Sequence, residues 1–428
     1  MTLRGKTILF IGGGRETVPA LDTARDLGVE VVVIDGDAVG CDAARAGYRC
    51  LQASTYDAQS CVAVAKLAES KGRKFDGVTS VGTDCAFTVA VVASELGLPG
   101  VPPSSALIAS NKALLKSFLL EREIMTPLGA TCMQLEDLDR ALVTIGFPCI
   151  LKPADSRGSR GVFLVRNIDE ARLHFPLTLR FSPTATALVE QYIDGLQYSS
   201  ESVVVNGEPF TVGLSTRNYD FLEWTRPEIV EDGGSLPAAL GEKLENQLAH
   251  DLARIAAGLS MQNGTIKGDL VVKNGELLWI ELAVRASGGY LATHGIPLST
   301  GIDLVQAILK IAVGEPIEPA GLVAKSRQYV CQRYLFSLCP DDVQLVIPAS
   351  NSRSSGLLFS RSLILEGPNG TNAVSALSKV AVVITGGSTL AEAENRARDW
   401  VEKVAEVSTG LWFPPNQALG VEPSGLAS

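Results

Sequence analysis

Histidine is scarce in this chain: His174, His250 and His294 are the only three among 428 residues. They are too few and too widely separated in sequence to assemble a histidine-based metal centre. Basic residues are also in deficit, with 37 Lys and Arg against 47 Asp and Glu and a net charge of -10. That balance argues against non-specific binding of nucleic acid, which needs clustered cations, and an anionic small molecule would need a local basic pocket. No apolar run approaches the roughly 18 residues of a membrane-spanning helix, so no membrane partner is expected. The first residues pass directly into a short apolar stretch, without the long apolar region and small-residue cleavage site of a signal peptide. Eight cysteines lack CxxC spacing and nearby histidines. Buried thiols in a reducing cytoplasm are therefore expected.

What is present is ordinary globular material. Hydrophobic residues make up 46% and charged residues 20%, and the length calls for roughly two to four domains. Residues 6–11 form an apolar run ending in Gly12-Gly13-Gly14, and a second run at 29–34 ends at Asp35, which reads as a βαβ opening. Thr17 stands where the third glycine of GxGxxG would be, so the triple glycine reads as a strand-to-helix turn, with dinucleotide binding as the alternative. A further strand at 75–81 and the turn cluster at 98–103 close a first domain at 1–105. The rest divides into a linker helix and small α+β module (106–198), a strand-rich part (199–320), a C-terminal domain (325–410) and a loose tail (411–428). The fold class expected is α/β, in an α+β multidomain arrangement.

Three segments carry chemistry. In the first, an apolar strand presents Lys152, and a loop containing Ser156, Gly158, Ser159 and Gly161 follows. An ammonium and free backbone N–H groups can converge there on phosphate oxygens. It is not a Walker A loop, because the lysine precedes the glycines, and the plain alternative is a tight surface hairpin. In the second, an apolar strand end at Glu190, Gln191, Tyr192 and Ile193 meets a turn. Exposed backbone there can pair with an adenine edge while Glu190 accepts from the amino group, although ordinary strand-turn sequence looks the same. The third is the most informative. Two strands joined by Asn274-Gly275 form a hairpin, and Asp269 and Glu281 stand roughly symmetrically about the turn, so both carboxylates are expected on one face at adjacent strands. Such a pair needs a cation, and Mg²⁺ accepts a few carboxylate oxygens alongside phosphates and water. Arg285 follows four residues later, then Ser287-Gly288-Gly289, which can offer anion-binding amides.

Taken in order, these segments resemble the ATP-grasp superfamily over roughly residues 5–410. The resemblance implies an N-terminal Rossmann-like domain, a mobile lid, a catalytic part and a C-terminal domain, in a biotin-carboxylase-like order. It assigns Lys112 and Lys152 to the two phosphate-binding lysines and Glu190 to Ile193 to the adenine-binding hinge. It further assigns Gln197 to a ribose contact, Asp269 and Glu281 to the metal, and Arg285 to the transferred phosphoryl group or acyl phosphate. The cofactors implied are ATP and Mg²⁺, with Mn²⁺ as a substitute. One departure stands out: the family's Glu-x-Asn at the second metal position is Glu281-Leu282-Ala283 here, and Ala283 cannot ligate a metal.

The activity implied is carboxylate–amine ligation through an acyl phosphate, with small-molecule acid and amine substrates, which the resemblance to amino-acid ligases implies are amino acids. Biotin carboxylases carry a glutamate base four residues after the catalytic arginine, where this chain has Gly289. That disfavours the bicarbonate-activating alternative, and a non-catalytic ATP-binding subunit rests on Ala283 alone. Substrate pockets are expected to draw on Tyr219, Glu223, Trp224, Arg226 and the His294 region. A homodimer is the default oligomer.

Overall fold

Strand Thr7–Ile11 is buried along its whole length, as a strand covered on both faces must be when its sequence is continuously apolar. In the computed structural model, which describes residues 3–347, 356–364 and 378–414, it lies inside a four-stranded sheet. The strand order is Arg49–Gln52, Glu30–Asp35, Thr7–Ile11, Gly77–Thr79, and all neighbours are parallel. Helices Val18–Asp26, Ala58–Ser70 and Ala86–Glu95 lie between or after these strands, and Leu9, Val32, Phe75 and Val92 share one core. The order reverses beside Thr7–Ile11, so the loops after Ile11 and Thr79 flank the topological switch point, where open α/β sheets place ligands.

By its contacts the chain forms two compact units. One comprises Met1–Thr126, Ser199–Leu214 and Ala239–Arg327; the other comprises Pro127–Tyr198, Ser215–Ala238 and the described residues from Gln328 onward. Besides the parallel sheet, the first unit contains most of a second sheet, in the order Glu208–Arg217, Leu196–Val205, Gly264–Lys273, Glu276–Ala283. Strand Glu208–Arg217 was not among the expected strands. Its signal is Asn206-Gly207, with φ of 52° and 85°, a turn of the same chemistry as the Asn274-Gly275 turn that was recognised. Helix Glu242–Gly258 buries Leu244, Leu248, Leu252 and Ile255. Its Asp251 accepts a hydrogen bond from the indole of the fully buried Trp279 at 3.0 Å.

In the second unit, strands Gly129–Cys132, Ala187–Gln191, Cys149–Pro153 and Phe163–Val165 form an antiparallel sheet in that order. Helices Leu135–Ile145 and Ile168–Arg180 contribute Leu138, Leu142 and Phe175 to one core with Cys149, Leu151 and Val189. Strand alternation sends Lys152 and Glu190 to the other side. A further sheet in this unit orders Gly233–Leu236, Tyr329–Ser337, Ser378–Gly387 and Leu357–Ser362. Helix Leu390–Val407, capped by Thr389, adds Trp400 and Val404 to its core. Residues 415–428 of the expected tail lie outside the described residues. Among the described residues no helix is long and apolar enough to cross a membrane.

Candidate functional site

The hairpin at 264–283 turns through Asn274 and Gly275, both at positive φ (54° and 74°). Counting outward from that turn, regular pairing would set Asp269 against Ile280 and turn Glu281 to the other face. The register instead slips between Asp269 and Leu270, so that Leu270 faces Trp279 while Asp269 faces Glu281. This bulge absorbs Ile280 and restores the two carboxylates to one face, with Trp279 and Leu282 buried on the other. Gly268 belongs to the buried face, where a Cβ would lie 2.5 Å from the Trp279 ring. Each carboxylate already meets a lysine. Lys267 Nζ lies 2.5 Å from Asp269 Oδ2, and Lys112 Nζ lies 3.4 Å from Glu281 Oε1. Lys112 starts helix Lys112–Glu121, whose N-cap Asn111 accepts from the N–H groups of Ala113 and Leu114.

Arg285 is held by Asp84, with Nε at 3.1 Å from one carboxylate oxygen and Nη2 at 3.1 Å from the other, and it also donates to Ala286 O. Two residues on, the Ser287 N–H and hydroxyl both donate to Glu201 Oε2, at 2.9 and 2.5 Å. Glu201 is fully buried, and burial pushes its carboxyl up to about 7, against the pull of Ser287, Arg285 and Lys267. Gly289 N donates to Glu16 Oε2 at 2.6 Å. Lys267, Asp84, Glu16 and Glu201 were not singled out from the sequence. Asp84 and Glu16 follow strands Gly77–Thr79 and Thr7–Ile11 at the switch point, which is the signal that marks such loops. Two of the three glycines serve packing there: a Cβ on Gly12 would lie 2.2 Å from Thr83 and one on Gly13 3.0 Å from Ala43, and Gly13 N donates to Asp35.

In the second unit Lys152 and Glu190 are buried and ion-paired with each other through one carboxylate oxygen of Glu190. The N–H of Gln191 donates to Leu128 O and that of Tyr192 to Pro148 O, which narrows the backbone edge the hinge can offer. Gln191 is exposed, while Tyr192, Ile193 and Gln197 are half-buried. In the loop after Lys152, Ser156 is buried, whereas Gly158 and Ser159 are exposed at φ of 64° and 57°. Gly161 is packed so tightly that a Cβ would lie 2.7 Å from Phe181. Arg226 pairs with Glu223 at 3.3 Å.

Among the described residues no group of three or more His, Cys, Asp or Glu side chains forms a ready metal cage. The opposed carboxylates Asp269 and Glu281 fit an ion that brings phosphate and water ligands of its own.

Residues 111–320 match the carbamoyl-phosphate synthase L chain, ATP binding domain, and residues 21–100 match the ATP-grasp N-terminal domain. Carnosine synthase 1 of Mus musculus is 25% identical over 346 residues, which are 74% of this chain and 41% of that protein. The chain thus spans half or less of the length of the curated relatives it matches. The L-amino acid ligase from Bacillus licheniformis shares the fold with a TM-score of 0.73 at 19% identity, covering 95% of this chain and 98% of its own. N5-carboxyaminoimidazole synthetase from Staphylococcus aureus, complexed with ADP, does so with a TM-score of 0.71 at 16% identity, covering 92% and 97%. With an ATP-grasp N-terminal domain followed by the ATP-binding domain, and the fold shared over nearly its whole length, this chain belongs to the ATP-grasp superfamily.

Proposed function

We propose that the protein is an ATP-dependent carboxylate–amine ligase, forming an amide or peptide bond through an acyl phosphate with release of ADP and phosphate. The observation that carries this reading is the opposed pair Asp269 and Glu281, each beside a lysine, with Arg285 clamped by Asp84 just beyond. Such an array neutralises phosphoryl oxygens and needs no protein nucleophile. ATP bound with Mg²⁺, or Mn²⁺ in its place, supplies the phosphoryl group. In this reading Asp269 and Glu281 hold the ion, Lys112 and Lys152 meet phosphates, and Arg285 meets the transferred group. Ser156 to Gly161 form the phosphate loop, Glu190 to Ile193 line the adenine hinge, and Gln197 meets the ribose. The domain roles go with it: 1–105 Rossmann-like, 106–198 linker and mobile lid, 199–320 catalytic, 325–410 C-terminal.

Relatives named for an L-amino acid ligase and a carnosine synthase support amino acids as the acid and amine. Gly289 supports the ligase over a bicarbonate-activating enzyme, because it has no side chain to serve as the base that biotin carboxylases carry four residues after the catalytic arginine. A cytoplasmic homodimer is the setting that goes with this reading. The test is ADP release by the purified protein with pairs of amino acids, with bicarbonate as a separate arm and hydroxylamine as a trap. Ligase chemistry predicts ADP release that depends on an amino acid and a hydroxamate of the activated acid. ADP release that requires bicarbonate, ignores amino acids and yields no hydroxamate would overturn it.

A further inference from the structure

Ala283 leaves a gap where the family pattern has a second side-chain metal ligand, and the structure shows what stands across from it. The residue paired with Ala283 on the neighbouring strand is Lys267. Lys267 and Asp269 are two residues apart on one strand, hence on the same face, and the Lys267 ammonium lies 2.5 Å from Asp269 Oδ2. Its side chain is largely buried, at 18% exposure, and its charge also bears on buried Glu201. Two carboxylates, Asp269 and Glu281, are thus balanced by two resident cations, Lys267 and Lys112.

The geometry points to Lys267, the cross-strand partner of Ala283, as a built-in replacement for a second divalent ion: its ammonium holds Asp269, so that the Asp269–Glu281 pair takes a single metal with the nucleotide. The inference rests on the ATP-binding reading above and goes beyond it by fixing the metal count and assigning a role to a residue outside the family's ligand pattern. The physical reason is direct. A second dication would meet an ammonium at close range, would share Asp269 with it, and would find only a methyl group at Ala283, whereas a hard cation of this kind is held by oxygen ligands. A lysine delivers one positive charge with no ligand requirement, at the cost of the second ion's Lewis acidity. Lys267 is on this account a positioning residue, and metal stoichiometry is the readout that a merely structural lysine would not move.

The experiment counts Mn²⁺ bound to the full-length protein by electron paramagnetic resonance, in the presence of a saturating non-hydrolysable ATP analogue whose own binding is measured separately by calorimetry. The wild type is expected to bind one Mn²⁺ per bound nucleotide. Lys267→Ala combined with Ala283→Asn, which removes the ammonium and supplies an oxygen ligand, is expected to bind two. Two ions in the wild type would overturn the inference while leaving the ATP reading intact, and this measurement needs no variant. A folded double variant that still binds one ion would also overturn it. Failure of the wild type to bind the analogue at all would instead sink the ATP reading, and the inference with it.

Discussion

Lys152 and Glu190 bear at once on stability, as a buried ion pair, and on the nucleotide site proposed above. Both are buried, at 4% and 2% exposure, and they are paired on the side of their sheet away from the helices. Removing one member of a buried pair strands the other's charge and costs about 3 kcal/mol or more, whereas replacing both with apolar groups is often neutral. Lys152→Met alone should therefore lower the melting temperature and abolish turnover together, which cannot separate a phosphate ligand from a structural lysine. Lys152→Met combined with Glu190→Leu is expected to recover most of the thermal stability while ADP release stays at least a hundredfold down, since the proposed charge-assisted contact to phosphate and the proposed hinge carboxylate are then both missing. Recovery of turnover along with stability would remove Lys152 from the nucleotide's contacts.

At the scale of the element, the hairpin shows what sequence can and cannot convey. The Asn274-Gly275 turn was legible because its chemistry is local, and so was the proximity of Asp269 and Glu281. The face they occupy was not securely legible, because strict alternation from the turn places Asp269 opposite Ile280 and Glu281 on the Trp279 side. The bulge that corrects this depends on packing Trp279 over Gly268 and on Leu282 re-entering the core, which are contacts no local pattern encodes. If register is what matters, deleting Ile280 should close the bulge and leave Glu281 opposite Asp269, since counting from the turn then pairs them directly. Nucleotide-dependent Mn²⁺ binding by this deletion variant should survive within about tenfold, or roughly 1.4 kcal/mol. Its loss in a protein with wild-type circular dichroism would show that the bulge's added twist, not the register, aims Glu281.

Across the whole molecule, the order of motifs was readable, while the groups that surround Arg285 were not. Asp84, Glu16 and Glu201 lie 201, 273 and 86 residues from the partners they meet in the 285–289 stretch, and a linear reading has no term for such distances. Glu201 also links this region to global stability. Its carboxyl sits at about 7 in the folded protein against an ordinary 4.5, raised first by burial and only partly offset by Ser287, Arg285 and Lys267. Because the folded value is the higher one, its contribution to stability is fully present below about pH 4.5 and is lost as pH rises through about 7, beyond which folded and unfolded chains are both ionised and the effect levels off. Glu201→Gln keeps the shape and an acceptor for Ser287 but cannot ionise. Thermal melts of the two proteins from pH 5 to pH 8.5 should therefore diverge, the variant gaining on the wild type by an amount of the order of 2–3 kcal/mol, mostly between about pH 5 and 7. Parallel melting curves across that range would mean that Glu201 is already ionised when folded, with Lys267 and Arg285 outweighing its burial.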